Sequence, residues 1–377
     1  MKFKPYFFVV GMLFFAQVVH AQLSLPPNGG NERSVVRQYM GSVAYVEIDY
    51  RSPDVAGREG QIWGTVVPYG LNGFGFGKSS QDNPSPWRAG ANENTTIEFS
   101  HDMTVQGQPI AAGKYGFHII TQETGPWTLI FTNETNAWGS FYYTPDDEVL
   151  RTEANPEESD FREYLTYEFV ARKGDTTTVA LIWENKKLPF TIAVPQNNEF
   201  MLAQVESELT GQLGFQWNNL SQAANWASGA GFHEHAISWA DAALSAPFIG
   251  QRNFNTLQTK ATVLFAQEKT DEAVEVMGEA IKEPAATAFQ IHAYGRQLIG
   301  IGQQDKAIEV FKYNHERFEG AWPTNYGLAR GYSALGEYKV ALKHLKVALE
   351  NVPENDAVNP PVIEANIKKL ENKEDIN

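Results

Sequence analysis

Arg88, Asn92 and Glu93 stand close together in the run Trp87-Arg88-Ala89-Gly90-Ala91-Asn92-Glu93. A guanidinium offers a planar fork of donors, an amide both donates and accepts, and a carboxylate accepts. Three such groups on one glycine-containing turn suit a polyhydroxylated or carboxylate ligand. A structural reading competes, in which Asn92 serves the turn and Arg88 pairs with Glu93 or another acid. Arg51, Arg58 and Arg151 add guanidinium groups, read first as ion-pair partners; Arg51 and Arg151 stay among the ligand candidates. His118 falls in an alternating apolar run and lines either a cleft or a half-buried surface. Trp138 and Tyr143 bracket a loop where rings suit stacking on sugar faces, whereas Trp127 and Trp183 alternate with large apolar residues and belong to an interior.

Other chemistries lack their residues. The chain has no cysteine, which excludes disulfides, thiolate metal sites, cysteine nucleophiles and a lipid-modified cysteine. His233-Glu234-His235 spaces its imidazoles by two on a helix, where they diverge, so no metal is expected, and no cofactor motif is present. Gly73, Gly77, Lys78 and Ser79 imitate a phosphate loop, but the glycine spacing is too short and Pro84 and Pro86 stand where a helix must begin. Glu93, Asp102, Asp146 and Asp147 are available for glycoside hydrolysis, with no spacing that fixes their separation. Residues 153–160 read as a solvated acidic loop, since the glycine and alternating oxygens of a calcium loop are missing. No catalytic residue is assigned.

The 377 residues carry 45 acidic and 30 basic side chains, a net charge of −15, which argues against nucleic acid as a partner. Lys2 and Lys4 precede an apolar run over residues 6–19 that is short for a membrane span. Residues 1–21 therefore read as an export signal, leaving a periplasmic or secreted protein with no stable membrane insertion. From about residue 43 to 194 the pattern has period two, with strands expected at 43–50, 95–100, 115–121, 127–131, 165–171, 177–183 and 188–194. After Pro195 the period becomes helical, starting with a stripe of Leu202, Val205, Leu209 and Leu213.

Within the helical half, Ala273, Ala307 and Ala341 are spaced by 34, as are Ala261, Gly295 and Ala329, and Met277, Phe311 and Leu345. Glu268, Gly302 and Gly336 mark turns at the same interval. The unit over residues 220–246 is offset by 37, which places an insertion near 245–252. This period resembles that of the tetratricopeptide repeat. Ile363, Ile367 and Leu370 fit a closing helix after Pro360-Pro361.

The β half also carries a resemblance. Tyr50-Arg51-Ser52-Pro53, Gly57-Arg58, Ile62-Trp63-Gly64, Val67-Pro68-Tyr69-Gly70, Trp87-Arg88-Ala89-Gly90-Ala91-Asn92-Glu93 and Ala112-Gly113-Lys114-Tyr115 occur in order. Trp127-Thr128-Leu129-Ile130-Phe131, Trp138-Gly139 and Asp147-Glu148-Val149-Leu150-Arg151 follow. Together, over about residues 36–194, they resemble the DUF2911 family of exported Bacteroidetes proteins. The resemblance implies an exported β-rich domain and no assigned activity. Residues 71–86 depart from it as an insertion, read as a loop at a binding edge.

The expected fold class is α+β in two domains: an N-terminal antiparallel β-sandwich over residues 35–195 and an all-α tetratricopeptide-like superhelix over 200–352. A capping helix and tail over 353–377 close it. The expected role is a non-catalytic binding or scaffold protein, with an envelope glycan or peptide on the β-domain and a protein or peptide segment in the helical groove. The alternative is a hydrolase of a cell-envelope polymer acting through carboxylates near Arg88–Glu93.

Overall fold

The computed structural model describes residues 31–41 and 43–377; the expected export signal at 1–21 lies outside them. The chain divides into two compact units between Asn197 and Asn198.

The first unit holds ten strands: β1 (Glu32–Met40), β2 (Ala44–Ser52), β3 (Thr95–Phe99), β4 (Met103–Val105), β5 (Gln108–Ile110), β6 (Gly113–Ile120), β7 (Trp127–Thr132), β8 (Glu148–Ala154), β9 (Glu157–Lys173) and β10 (Thr176–Ala193). They form two antiparallel sheets, ordered β1-β2-β3-β6-β7-β8 and β5-β4-β10-β9. Alternation decides which side chains go inward. On β2, Ala44, Val46, Ile48 and Tyr50 are buried, while Tyr45, Glu47, Asp49 and Arg51 are only partly so. Inward rings from the two sheets meet: Phe117 of β6 lies 5.6 Å from Phe190 of β10, and Tyr50 of β2 lies 4.8 Å from Tyr167 of β9, edge to face. Such pairs add about 0.5–1.5 kcal/mol beyond the area they bury.

Two sequence expectations are corrected. The runs 177–183 and 188–194 are one strand, β10, whose register with β9 shifts around Glu184, a non-glycine residue at φ 53°. The bulge absorbs the polar stretch that made the run look like two strands. The acidic segment 153–160 is not a loop but the end of β8 and the start of β9. Glu158 and Glu157 stand across the ladder from Lys186 and Lys187 and pair with them, so opposite charges hold an exposed hairpin that apolar alternation does not reveal.

The second unit begins with α1 (Asn197–Leu209) and continues as helical hairpins: α2 (Trp217–Gly229) with α3 (His233–Ser245), α4 (Phe254–Ala266) with α5 (Thr270–Ala280), α6 (Ala288–Gly300) with α7 (Gln304–Arg317), and α8 (Trp322–Ala334) with α9 (Tyr338–Glu350). Helix α10 (Asn359–Glu371) packs on α9. The 34-residue positions have the roles expected of them. Ala273, Ala307, Ala341, Met277, Phe311 and Leu345 are all buried. Gly295 lets the Phe311 ring approach so closely that an added Cβ would lie 2.4 Å from it. Glu268, Gly302 and Gly336 all have positive φ, at 61°, 78° and 77°, the left-handed turn a helical hairpin needs. Ile363 and Leu370 are buried in the last cluster, although Pro360 and Pro361 open α10 rather than precede it. The Leu202–Leu213 stripe is different: α1 has no buried residue, and Leu213 lies in a following short 3-10 turn.

Candidate functional site

The segment between β2 and β3 carries no regular strand, yet its backbone is tied down. Trp87 exchanges hydrogen bonds with Ile119 of β6 at 3.0 and 2.8 Å, anchoring the turn that follows. Ala89 and Asn92 both take left-handed backbone, φ 55° and 57°. Asn is among the few residues that tolerate this; Ala is held there because its carbonyl accepts from Thr95 Oγ1 at 2.9 Å and Tyr167 Oη at 2.8 Å. This turn aims Arg88 into a cleft of about 670 Å³.

Arg88 is held on three sides. Its Nη1 donates to the Asn92 carbonyl at 2.6 Å, its Cζ lies 5.2 Å from the Phe141 ring centroid, and Gly139 packs so close that a Cβ there would sit 2.5 Å from Cζ. Among the described residues no carboxylate pairs with it, and burial pushes its pKa down. Around it the cleft is lined by Trp87, Trp183, Ser85, Ser140, Asn92 and Arg58. Ser85 Oγ and Trp183 Nε1 are buried polar atoms with no hydrogen-bond partner. Arg58 is already engaged, donating to the Val55 and Asp54 carbonyls at 2.8 Å each, with its Nη2 3.4 Å from the Asp54 carboxylate.

The expected site residues separate into groups. Arg88 and Asn92 line the cleft together. Arg51 and Glu93 do not join them: they form a two-pronged ion pair at 2.9 and 3.0 Å, in a separate shallow depression. Burial pushes the Glu93 pKa up, but its own backbone N–H and Arg51 outweigh that, so it stays below the usual carboxylate range. Tyr143 is buried rather than a surface ring; it donates to Glu148, and Arg151 clasps the same carboxylate at 2.7 and 3.0 Å. Trp138 is 53% exposed, and its backbone bridges that of Glu93.

His118 is buried, not on a half-buried surface. Its Nδ1 is 2.8 Å from Ser140 Oγ, and the Tyr143 ring lies 5.8 Å away. Burial pushes its pKa down to about 4, with Arg88 adding to the fall and Glu148 opposing it. The imidazole is neutral at pH 7 and a weak base, and its contact fixes the Ser140 hydroxyl in the cleft wall.

Ser85, Ser140 and the place of Trp183 in the cleft lining were not marked by the sequence. Trp183 is buried as expected, but interior placement and cleft lining coincide in one side chain. Ser140 follows Trp138-Gly139, one of the family motifs, and that adjacency was the available signal.

Residues 31–192 match DUF2911, described as a protein of unknown function. That match covers the β-rich part of the chain, and the helical hairpins that follow it carry the 34-residue, tetratricopeptide-like spacing. No curated protein matches it. Among solved structures it is similar to YrrB, described as a TPR protein with an unusual peptide-binding site, at 20% identity and TM-score 0.32, covering 45% of this chain and 83% of that one. It is also similar to a tetratricopeptide repeat protein from Parabacteroides merdae, at 16% identity and TM-score 0.33, covering 45% of this chain and 63% of that one. MamA AMB-1 is similar at 12% identity and TM-score 0.27, covering 42% of this chain and 85% of that one. The repeat assignment rests on the chain's own 34-residue spacing and its paired helices.

Proposed function

We propose that this is an exported binding protein rather than an enzyme, with a ligand cleft in the β unit and a protein-recruiting surface on the helical repeats. The observation that carries the reading is Arg88: a constrained guanidinium in a cleft of ligand size, without a carboxylate partner among the described residues. An unpaired, partly buried cation is costly, and a site that keeps one is suited to meet an anionic group. In the helical unit, α2 packs beside α4 and α6 packs beside α8, so first helices of neighbouring hairpins lie side by side in two pairs. Asn255 and Thr262 are exposed on α4, and Phe289 and Arg296 on α6, side chains of the kind with which stacked repeats hold an extended segment.

The hydrolase alternative needs a carboxylate acid with a raised pKa beside the bound polymer. Glu93 is instead held ionised by Arg51, in a depression apart from Arg88. The full-length mature chain is expected to retain envelope polysaccharide on a column without releasing shortened products, and Glu93→Gln is expected to change neither behaviour. Release of new reducing ends by the parent chain, lost in Glu93→Gln, would replace this reading with the hydrolase.

A further inference from the structure

We propose that the Arg88 cleft binds a sugar acid: a hydroxylated ring bearing a single carboxylate, with the carboxylate on Arg88 and the hydroxyls on Ser85, Trp183 and Asn92. This rests on the binding role proposed for the cleft and names the class of its ligand.

Three features converge. The first is the fork. Arg88 uses Nη1 on the Asn92 carbonyl and one face on Phe141; Nε and Nη2 have no acceptor among the described residues. Two N–H groups on adjacent nitrogens of one planar fork match the two oxygens of a carboxylate.

The second is the charge count. Arg58, the other cation of the cleft, is committed to Asp54 and to two carbonyls. His118, which reaches the cleft only through Ser140, adds no charge at pH 7. One uncompensated cation matches an anion of charge −1. A phosphate monoester, nearer −2, would bring a charge that nothing in the cleft meets.

The third is the orphaned polar atoms. Ser85 Oγ and Trp183 Nε1 belong to residues 1% and 2% exposed, both line the cleft, and neither has a partner. Native proteins rarely leave such atoms unsatisfied, and ligand hydroxyls would satisfy both once a small shift of the cleft wall uncovers them. The Trp87 ring, stacked on Trp183 with planes 16° apart, supplies an aromatic wall for a sugar face. Ser85 and Phe74 come from residues 71–86, the segment read from the sequence as an insertion, while Trp183 and Asn92 lie outside it. A cleft of about 670 Å³ is within the range of small-ligand pockets.

The test is titration calorimetry on the full-length mature chain with glucuronate, glucose, glucose 6-phosphate and an acetylated dipeptide. Glucuronate is expected to bind about tenfold or more tightly than each of the others, a difference of one decade or above in Kd. Arg88→Gln is expected to remove that preference. Ser85→Ala keeps the fold, since it deletes an atom with no partner, and is expected to weaken glucuronate several-fold without lowering the melting temperature of the free protein. Equal binding of glucose or of the dipeptide, lost in Arg88→Gln, overturns the sugar-acid assignment while leaving the cleft a binding site. Tighter binding of glucose 6-phosphate overturns the single-charge argument. Glucuronate binding unchanged in both variants, or absent from the parent chain, overturns the proposal outright, and retention of envelope polysaccharide then decides the broader role separately.

Discussion

His118 is an imidazole enclosed by the Tyr143 ring, Ser140 and Thr132, within the field of Arg88 and Glu148. Its folded-state pKa, about 4, lies below the value near 6.5 of an unfolded chain. Its contribution to stability is therefore fully present above about pH 6.5 and is lost as the pH falls toward 4. Urea unfolding at pH 6.5 and pH 5 is expected to show His118→Asn losing less stability across the interval than the parent chain, by about 1 kcal/mol per pH unit. Identical slopes would mean the imidazole is protonated inside the fold. The same neighbourhood shows how much of the site the sequence could yield. Arg88 and Asn92 were legible because their types and turn spacing declare a polar cleft. The pairing of Glu93 with Arg51 was not, since it depends on β2 delivering Arg51 to one side of a turn that sends Arg88 to the other. Tyr143 read as a surface ring because its loop looks exposed, whereas its hydroxyl reaches inward to Glu148.

Among elements, the helical hairpins were the most legible because a period of 34 repeats the same packing demands at each stage. Small residues at 261, 295 and 329 and large ones at 277, 311 and 345 are fixed by helix contact, and the structure buries every one. The strands were less legible where charge, not apolar alternation, holds them, as in the β9 hairpin end. One hairpin turn breaks the chain's own rule. Glu268 occupies left-handed backbone at φ 61°, where Gly302 and Gly336 stand in the later hairpins. A non-glycine residue there costs about 1 kcal/mol. Glu268→Gly is expected to stabilise the helical unit by about that amount, and Gly336→Ala to destabilise it similarly, both read as shifts in the thermal midpoint. An unchanged or lowered midpoint for Glu268→Gly would show that the glutamate side chain makes a compensating contact.

At the scale of the whole molecule, each unit has the means to fold alone. Among the described residues, the apolar clusters of the helical half draw on residues between Ala224 and Ile376, and the ring pairs joining the two sheets come from strands of the first half. Separate cores imply separate cooperative transitions. Calorimetry of the mature chain is expected to show two endotherms. Phe311→Ala, which empties a fully buried site beneath Gly295 and Gly327, is expected to lower one of them by about 3–5 kcal/mol of stability, and Phe190→Ala the other. A ligand held in the Arg88 cleft stabilises only the unit that binds it, by RT ln(1 + [L]/Kd), so glucuronate is expected to raise the endotherm that Phe190→Ala lowers and leave its companion in place. A single endotherm moved by both substitutions would mean that the two halves unfold as one body; cleft occupancy would then stabilise the repeats as well, and the two proposed binding functions would be thermodynamically linked rather than independent.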